Sequence, residues 1–230
     1  MTAGTAAAEV ETLADGRVVL RSTDAARART LVFDEEQHRY FVDGREHVSC
    51  TTVVAGLRRL WGHETPEFQP IHSALGTALH RAIELDVLGA LDESTVDERL
   101  AAKLEANRGW RRLADFVPAL IEHAPDDLRP ALEVRVWSPE GCAGTVDAIG
   151  YVGGVLSIVD WKSTWDGGAA VQMAGYKRMI RFVYGVEIER RWVVKHFPDG
   201  TFKPVAYSDP LDERRFACGM FLLRDGGGGR

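Results

Sequence analysis

Nowhere does this sequence contain an apolar run approaching the roughly 20 residues that a membrane-spanning helix needs. Its first thirty residues also lack the basic start and apolar block of a secretory signal, so a cytoplasmic protein without membrane attachment is expected. Cysteine is scarce. Cys50, Cys142 and Cys218 are scattered without a CxxC pair, a spacing that suggests neither a disulfide framework nor a zinc or iron–sulfur site, and reduced thiols are expected. An excess of positive charge is missing too: the formal net charge is −6. That argues against a protein that coats nucleic acid nonspecifically by neutralising phosphates, but not against an acidic metal site that acts on them.

What is present is the balance of a globular protein, with 45% hydrophobic and 27% charged residues in 230, enough to bury one substantial core. Residues 1–28 are rich in Ala, Thr, Arg and Gly and offer little to bury beyond Val18-Val19-Leu20, so a flexible segment is expected there. Short strands follow at Thr30–Phe33, Arg39–Val42 and Glu46–Val48. Helices are expected over about 51–60, 71–88, 94–106 and 108–123, the last bent at Pro118. The second half reads differently. Ala131–Trp137, Gly144–Val152 and Val155–Trp161 are β-type runs, the last two joined by a Gly153-Gly154 hairpin turn. A helix over 168–184, strands over 190–197 and 202–207, a helix over 212–223 and a frayed tail from Gly226 complete the chain. The expected fold is α/β: a mixed central sheet flanked by helices, with a helical N-terminal half. One domain over 29–224 is anticipated, with 29–125 as β lead-in and helical part, 131–224 as core and 225–230 as flexible tail.

The chemistry concentrates at the end of the strand Leu156–Val159. Asp160 and Lys162, two apart on a strand, point the same way. A charged pair ending a buried strand is costly unless compensated; a divalent cation would compensate the carboxylate and a phosphate the ammonium. The tight hairpin folds Asp147 back beside Asp160. Two hard oxygen ligands are how Mg²⁺ is commonly held for phosphate chemistry, and Lys162 is placed to orient water or stabilise developing charge. Taken alone, Asp160-Trp161-Lys162 is an ordinary strand end reaching solvent.

In order, however, Glu133, Gly144-Thr145-Val146-Asp147, Asp160-Trp161-Lys162, and Gln172 with Tyr176 resemble the motifs of the PD-(D/E)xK nuclease superfamily in its RecB-like branch. Gly76-Thr77-Ala78-Leu79-His80 matches that branch's helix-borne histidine. His38-Arg39-Tyr40 through Cys50-Thr51-Thr52 resembles the lead-in of its phage, CRISPR-associated and mitochondrial genome maintenance exonucleases. The likeness runs from roughly residue 38 to 185; it has Val146 rather than Pro before the first Asp and Asp160 rather than Glu in the second motif, both common within the branch.

The resemblance implies a restriction-endonuclease-like core in which Asp147, Asp160, His80 and the Trp161 carbonyl hold Mg²⁺ or Mn²⁺. It makes Lys162 the catalytic lysine and sets Glu133 at the edge of the site. Gln172 and Tyr176 would steady the substrate strand or the lysine, and Lys177, Arg178 and Arg181 on the same helix are the first places to look for further phosphate contacts. The CRISPR-associated relatives carry four cysteines for an iron–sulfur cluster; these three do not reproduce that set, and no cluster is expected. The implied function is a stand-alone, metal-dependent DNA exonuclease of recombination, repair or phage replication. Two alternatives stay open: an overhang-trimming or structure-specific endonuclease, and a non-catalytic nucleic-acid-binding or assembly protein. Of Trp61, Trp110, Trp161 and Trp165, core packing is expected for most, with Trp165 the exception best placed to stack on bases. The remaining histidines, His196 among them, are expected in surface or capping roles. Oligomeric state is not encoded.

Overall fold

The structure, a computed structural model, describes residues 11–62, 70–124, 127–163 and 167–226. In chain order the elements are β1 (Glu11–Thr12), β2 (Val18–Leu20), α1 (Asp24–Arg27), β3 (Leu31–Asp34), β4 (Arg39–Val42), β5 (Arg45–Ser49), α2 (Cys50–Leu60), α3 (Pro70–Val87) and α4 (Glu98–Leu113). They continue with β6 (Phe116–Pro118), β7 (Leu120–Ala124), β8 (Asp127–Pro130), β9 (Leu132–Ser138), β10 (Cys142–Val152) and β11 (Val155–Lys162). The last are α5 (Ala169–Tyr184), β12 (Arg190–His196), β13 (Phe202–Tyr207) and α6 (Leu211–Gly226). A nine-stranded mixed sheet runs β13-β12-β11-β10-β5-β4-β3, with β6 and β9 also pairing β10, and a four-stranded sheet runs β1-β2-β7-β8. This is the mixed α/β architecture expected.

Side-chain alternation along β11 sorts the core into two layers. Leu156 and Ile158 join an apolar cluster with Val53, Val54 and Leu57 of α2, Met173, Met179 and Ile180 of α5, and Phe216 of α6. Val159 and Trp161 join another with Leu79 and Ile83 of α3 and Leu100, Leu104 and Trp110 of α4. Helices therefore cover both faces of the large sheet, and its central strands are buried on both, as a near-continuous apolar run requires. The β10–β11 hairpin pairs Val152 with Val155 through Ala148 with Val159, its Gly153 and Gly154 both at positive φ, +57° and +78°.

Three expectations are corrected. Residues 11–28 do not hang free (1–10 of that segment lie outside the described residues). β2 pairs in parallel with β7, its three residues are buried, and Thr23 bonds the Phe182 and Val183 carbonyls at the end of α5. The short apolar patch is enough because it completes a sheet rather than forming a core of its own. Second, the helices expected over 94–106 and 108–123 are one helix, α4, followed by β6 and β7. Gly109 is accommodated, and the helix stops at Asp115, whose φ is +48°. Phe116-Val117-Pro118 then pairs with the end of β10. Gly150 permits that pairing, since a Cβ there would lie 2.5 Å from the Val117 carbonyl oxygen. Third, the N-terminal half is not simply helical: it supplies strands to both sheets. At the far end, Asp225 and Gly226 belong to α6, and Gly227–Gly229 lie outside the described residues.

Candidate metal centre

The ladder between β10 and β11 stops at Ala148–Val159, and a strand N–H that loses its carbonyl partner must find another acceptor. Asp147 provides it: the Trp161 N–H donates to Asp147 Oδ2 at 2.7 Å. The carboxylate is thereby fixed with Oδ1 turned towards α3. There His80 Nδ1 lies 3.4 Å from Asp147 Oδ1 and 3.7 Å from Glu133 Oε1. His80 Nε2 is 2.9 Å from the Trp161 carbonyl oxygen. Donor atoms of His80, Glu133 and Asp147 all lie within 4.8 Å of one another. Glu133 reaches the cluster from a backbone at φ +47°, a conformation uncommon for a residue with a side chain.

Asp160 and Lys162 continue the side of β11 that faces α5. Lys162 Nζ is 3.1 Å from Asp160 Oδ2, an oxygen with no other partner among the described residues. On α5, Gln172 Nε2 donates to the Tyr176 hydroxyl at 2.9 Å. The Tyr176 ring packs over Gly144, where a Cβ would come within 2.7 Å of it. Cys50, at the start of α2, donates its thiol to the Gln172 carbonyl at 3.4 Å.

The electrostatics follow from burying these groups together. Burial alone would depress the His80 imidazole, but Asp147 and Glu133 override it and hold the ring well above its usual range. Burial raises the Asp147 carboxyl, and His80 and Lys162 reverse that, so it stays below its ordinary value. For Asp160 burial wins over Lys162, with Asp147 adding to the rise, and the carboxyl is pushed up to about 6. Burial also lifts Glu133, against the pull of His80. If Nε2–H is on the Trp161 carbonyl, Nδ1 presents a lone pair to two carboxylates, a repulsive arrangement unless a proton or a cation lies between them. Positive charge belongs at that point.

The structure thus brings His80, Glu133 and Asp147 into one donor cluster and sets Asp160, Lys162, Gln172 and Tyr176 beside it. It does not bring Lys177 or Arg181 there. Lys177 pairs with Glu187 at 3.1 Å and Glu213 at 3.4 Å, and Arg181 with the same two acids at 3.5 and 3.7 Å. Trp110 and Trp161 are core residues; Trp165 lies outside the described residues. His196, expected at the surface, is fully buried, with Nε2 3.4 Å from Asn107 Nδ2 and Nδ1 without a partner among the described residues.

Arg135, which no motif includes, also stands here, beside two motif residues to which no role was given, Tyr40 and Thr145. The Tyr40 hydroxyl meets Thr145 Oγ1 at 3.0 Å, and Arg135 faces Thr145 across the β9–β10 ladder. The signal for Arg135 is strand alternation, since it lies two residues beyond Glu133 on β9.

No family profile matches the sequence, and no curated protein does. Among solved structures, the chain is similar to a protein of Eubacterium rectale provisionally described as an exonuclease (13% identity, 78% of this chain and 82% of that one, TM-score 0.44). It is also similar to an alkaline exonuclease from Laribacter hongkongensis (12%, 78% and 89%, 0.38) and to a phage-related exonuclease from Haemophilus somnus (12%, 78% and 92%, 0.38). At such identities and scores, the functional reading rests on the site's own geometry.

Proposed function

We propose that this chain is a divalent-metal-dependent deoxyribonuclease of the RecB-like kind, acting on DNA ends. The observation that carries the reading is the convergence of His80, Glu133 and Asp147 donor atoms within 4.8 Å, with the Asp160–Lys162 pair at the adjoining strand end. The donor set suits Mg²⁺ or Mn²⁺: carboxylate oxygens are hard ligands, and the imidazole leans towards the transition metal. Asp147 Oδ1, Glu133 and His80 would hold the ion. The Trp161 carbonyl, which engages His80 Nε2 with one lone pair, keeps a second for it, and Asp160 flanks it from β11. When bound, such an ion polarises the phosphodiester and lowers the pKa of a ligated water.

The chain's own residues supply the rest. Lys162 orients the attacking water and offsets charge developing on the phosphoryl oxygens. Asp160, buried and 3.1 Å from the Lys162 ammonium, holds that lysine at the strand end where the phosphate would lie. Gln172 and Tyr176 brace the Lys162 side of the pocket from α5. The expected product is a hydrolysed phosphodiester formed without a covalent intermediate, and place in recombination, repair or phage replication is part of the same reading. Incubating labelled single- and double-stranded DNA with Mg²⁺, Mn²⁺ or EDTA tests it. Metal-dependent cleavage is expected, and cleavage that survives EDTA would sink it. Substrates with defined 5′ and 3′ overhangs separate an exonuclease from an overhang-trimming enzyme.

A further inference from the structure

Arg135 of β9 is the strongest feature that the proposed reaction leaves unused. It stands two residues beyond Glu133 on the same strand and opposite Thr145, itself two residues from Asp147. Its guanidinium lies over the Phe33 ring, 5.2 Å from the centroid, and Phe33 is stacked on Tyr40 at 4.6 Å. Tyr40 is buried and tied by its hydroxyl to Thr145, and that hydroxyl lies within the electrostatic reach of both Arg135 and Glu133. Buried Tyr40 and half-buried Phe33 therefore hold a cation two residues along β9 from Glu133, one of the two carboxylates of the donor cluster. Among the described residues the guanidinium has one acidic partner, Glu35 at 3.6 Å, a side chain that is 79% exposed. Such a surface pair contributes little and is easily exchanged. By contrast, Lys177 and Arg181 are each shared between two acids.

A nucleic-acid strand entering a site built from Glu133, Asp147 and Asp160 meets repulsion at every phosphate that the metal does not contact. Lys162 offsets this on the β11 side; nothing assigned so far does so on the β9 side. A planar guanidinium held on an aromatic ring keeps its fork pre-organised for two phosphate oxygens, which an ammonium on a flexible stem does not. We propose that Arg135, held on Phe33, is a substrate-positioning residue that binds the DNA backbone at a phosphate neighbouring the one cleaved. This rests on the nuclease reading above.

The test measures binding apart from turnover. Anisotropy of a fluorescein-labelled DNA with a single-stranded overhang is followed between 50 and 200 mM salt in Ca²⁺, for wild type, Arg135→Ala, Arg135→Lys and Glu35→Ala. One lost phosphate contact weakens binding about 10-fold and lowers the slope of log K against log salt by about 1. Arg135→Ala is expected to show both, and Arg135→Lys to restore the slope but only part of the affinity. Glu35→Ala, which releases the fork, is expected to bind as tightly as wild type or tighter. In Mg²⁺, Arg135→Ala is expected to raise KM far more than it lowers kcat. Thermal melts of all three variants check folding. Wild-type binding with an unchanged salt slope in a folded Arg135→Ala overturns this inference alone. Wild type that binds no DNA overturns it together with the functional reading.

Discussion

Asp147 does two jobs with two oxygens. Oδ2 takes the Trp161 N–H that the ladder abandons, and Oδ1 faces His80, so one side chain both repairs the sheet and aims at the cluster. Asp147→Asn keeps an acceptor for the N–H while removing the charge, and is expected to leave thermal stability close to wild type and to abolish any rise in Tm on adding Mn²⁺. Asp160→Asn and Lys162→Ala should each lower cleavage by roughly 10²–10⁴-fold, the usual range for a group that moves or steadies a proton, which single-turnover assays at saturating metal would measure. Normal turnover in either variant would remove that residue from the mechanism. The types and order of these residues were legible in the sequence because strand alternation and a two-glycine turn fix which side chains meet. Their division was not. Asp160 and Lys162 face α5, while His80 comes from α3, and the loss of ladder pairing that lets Asp147 join them leaves no mark in a periodic pattern.

At the level of elements, α5 is clamped on both sides by close approaches at glycine. A Cβ at Gly144 would meet Tyr176, and a Cβ at Gly175 would overlap the Phe216 ring of α6. Gly175→Ala is therefore expected to cost about 1–3 kcal/mol and to be relieved in part by Phe216→Leu, a coupling that a double-mutant cycle in urea would measure. Additive effects would mean that the helices separate without strain. The long strands β10 and β11 and the helix α5 could be placed from sequence because their apolar runs are long and their ends carry glycine. The segment after Arg108 could not. Its apolar spacing suits a helix, but Phe116–Pro118 is recruited as a strand by the exposed edge of β10, a tertiary demand that overrides local preference. The same holds for Val18–Leu20, whose burial depends on β7, about a hundred residues away.

For the molecule as a whole, His196 links the site's sheet to α4. It is buried on β12 against Asn107, and burial, with the charges of His80, Lys103 and Arg111 acting against Asp147, lowers its pKa to about 4. The unfolded chain, with an imidazole near 6.5, binds the proton first, so this residue's share of stability is complete above about pH 6.5 and declines as pH falls towards 4. The full span is about 3 kcal/mol. Urea melts of wild type and His196→Gln at pH 7.5, 6 and 5 should converge as the pH drops; parallel curves would show that His196 is not held neutral.

Metal binding acts in the other direction, since an ion held by His80, Glu133 and Asp147 stabilises only the folded chain. At a hundred times its Kd it adds about 2.7 kcal/mol, a rise in Tm of roughly 5–10 °C that EDTA should reverse. The most direct measurement of the central claim is the length of products from an end-labelled duplex incubated with Mg²⁺ or Mn²⁺, with EDTA, and with the Asp160→Ala and Lys162→Ala variants. The account predicts progressive shortening from an end with metal, and intact duplex in EDTA and in both variants. Shortening that persists in EDTA or in both variants, or no cleavage of any DNA by the wild-type chain, would contradict it.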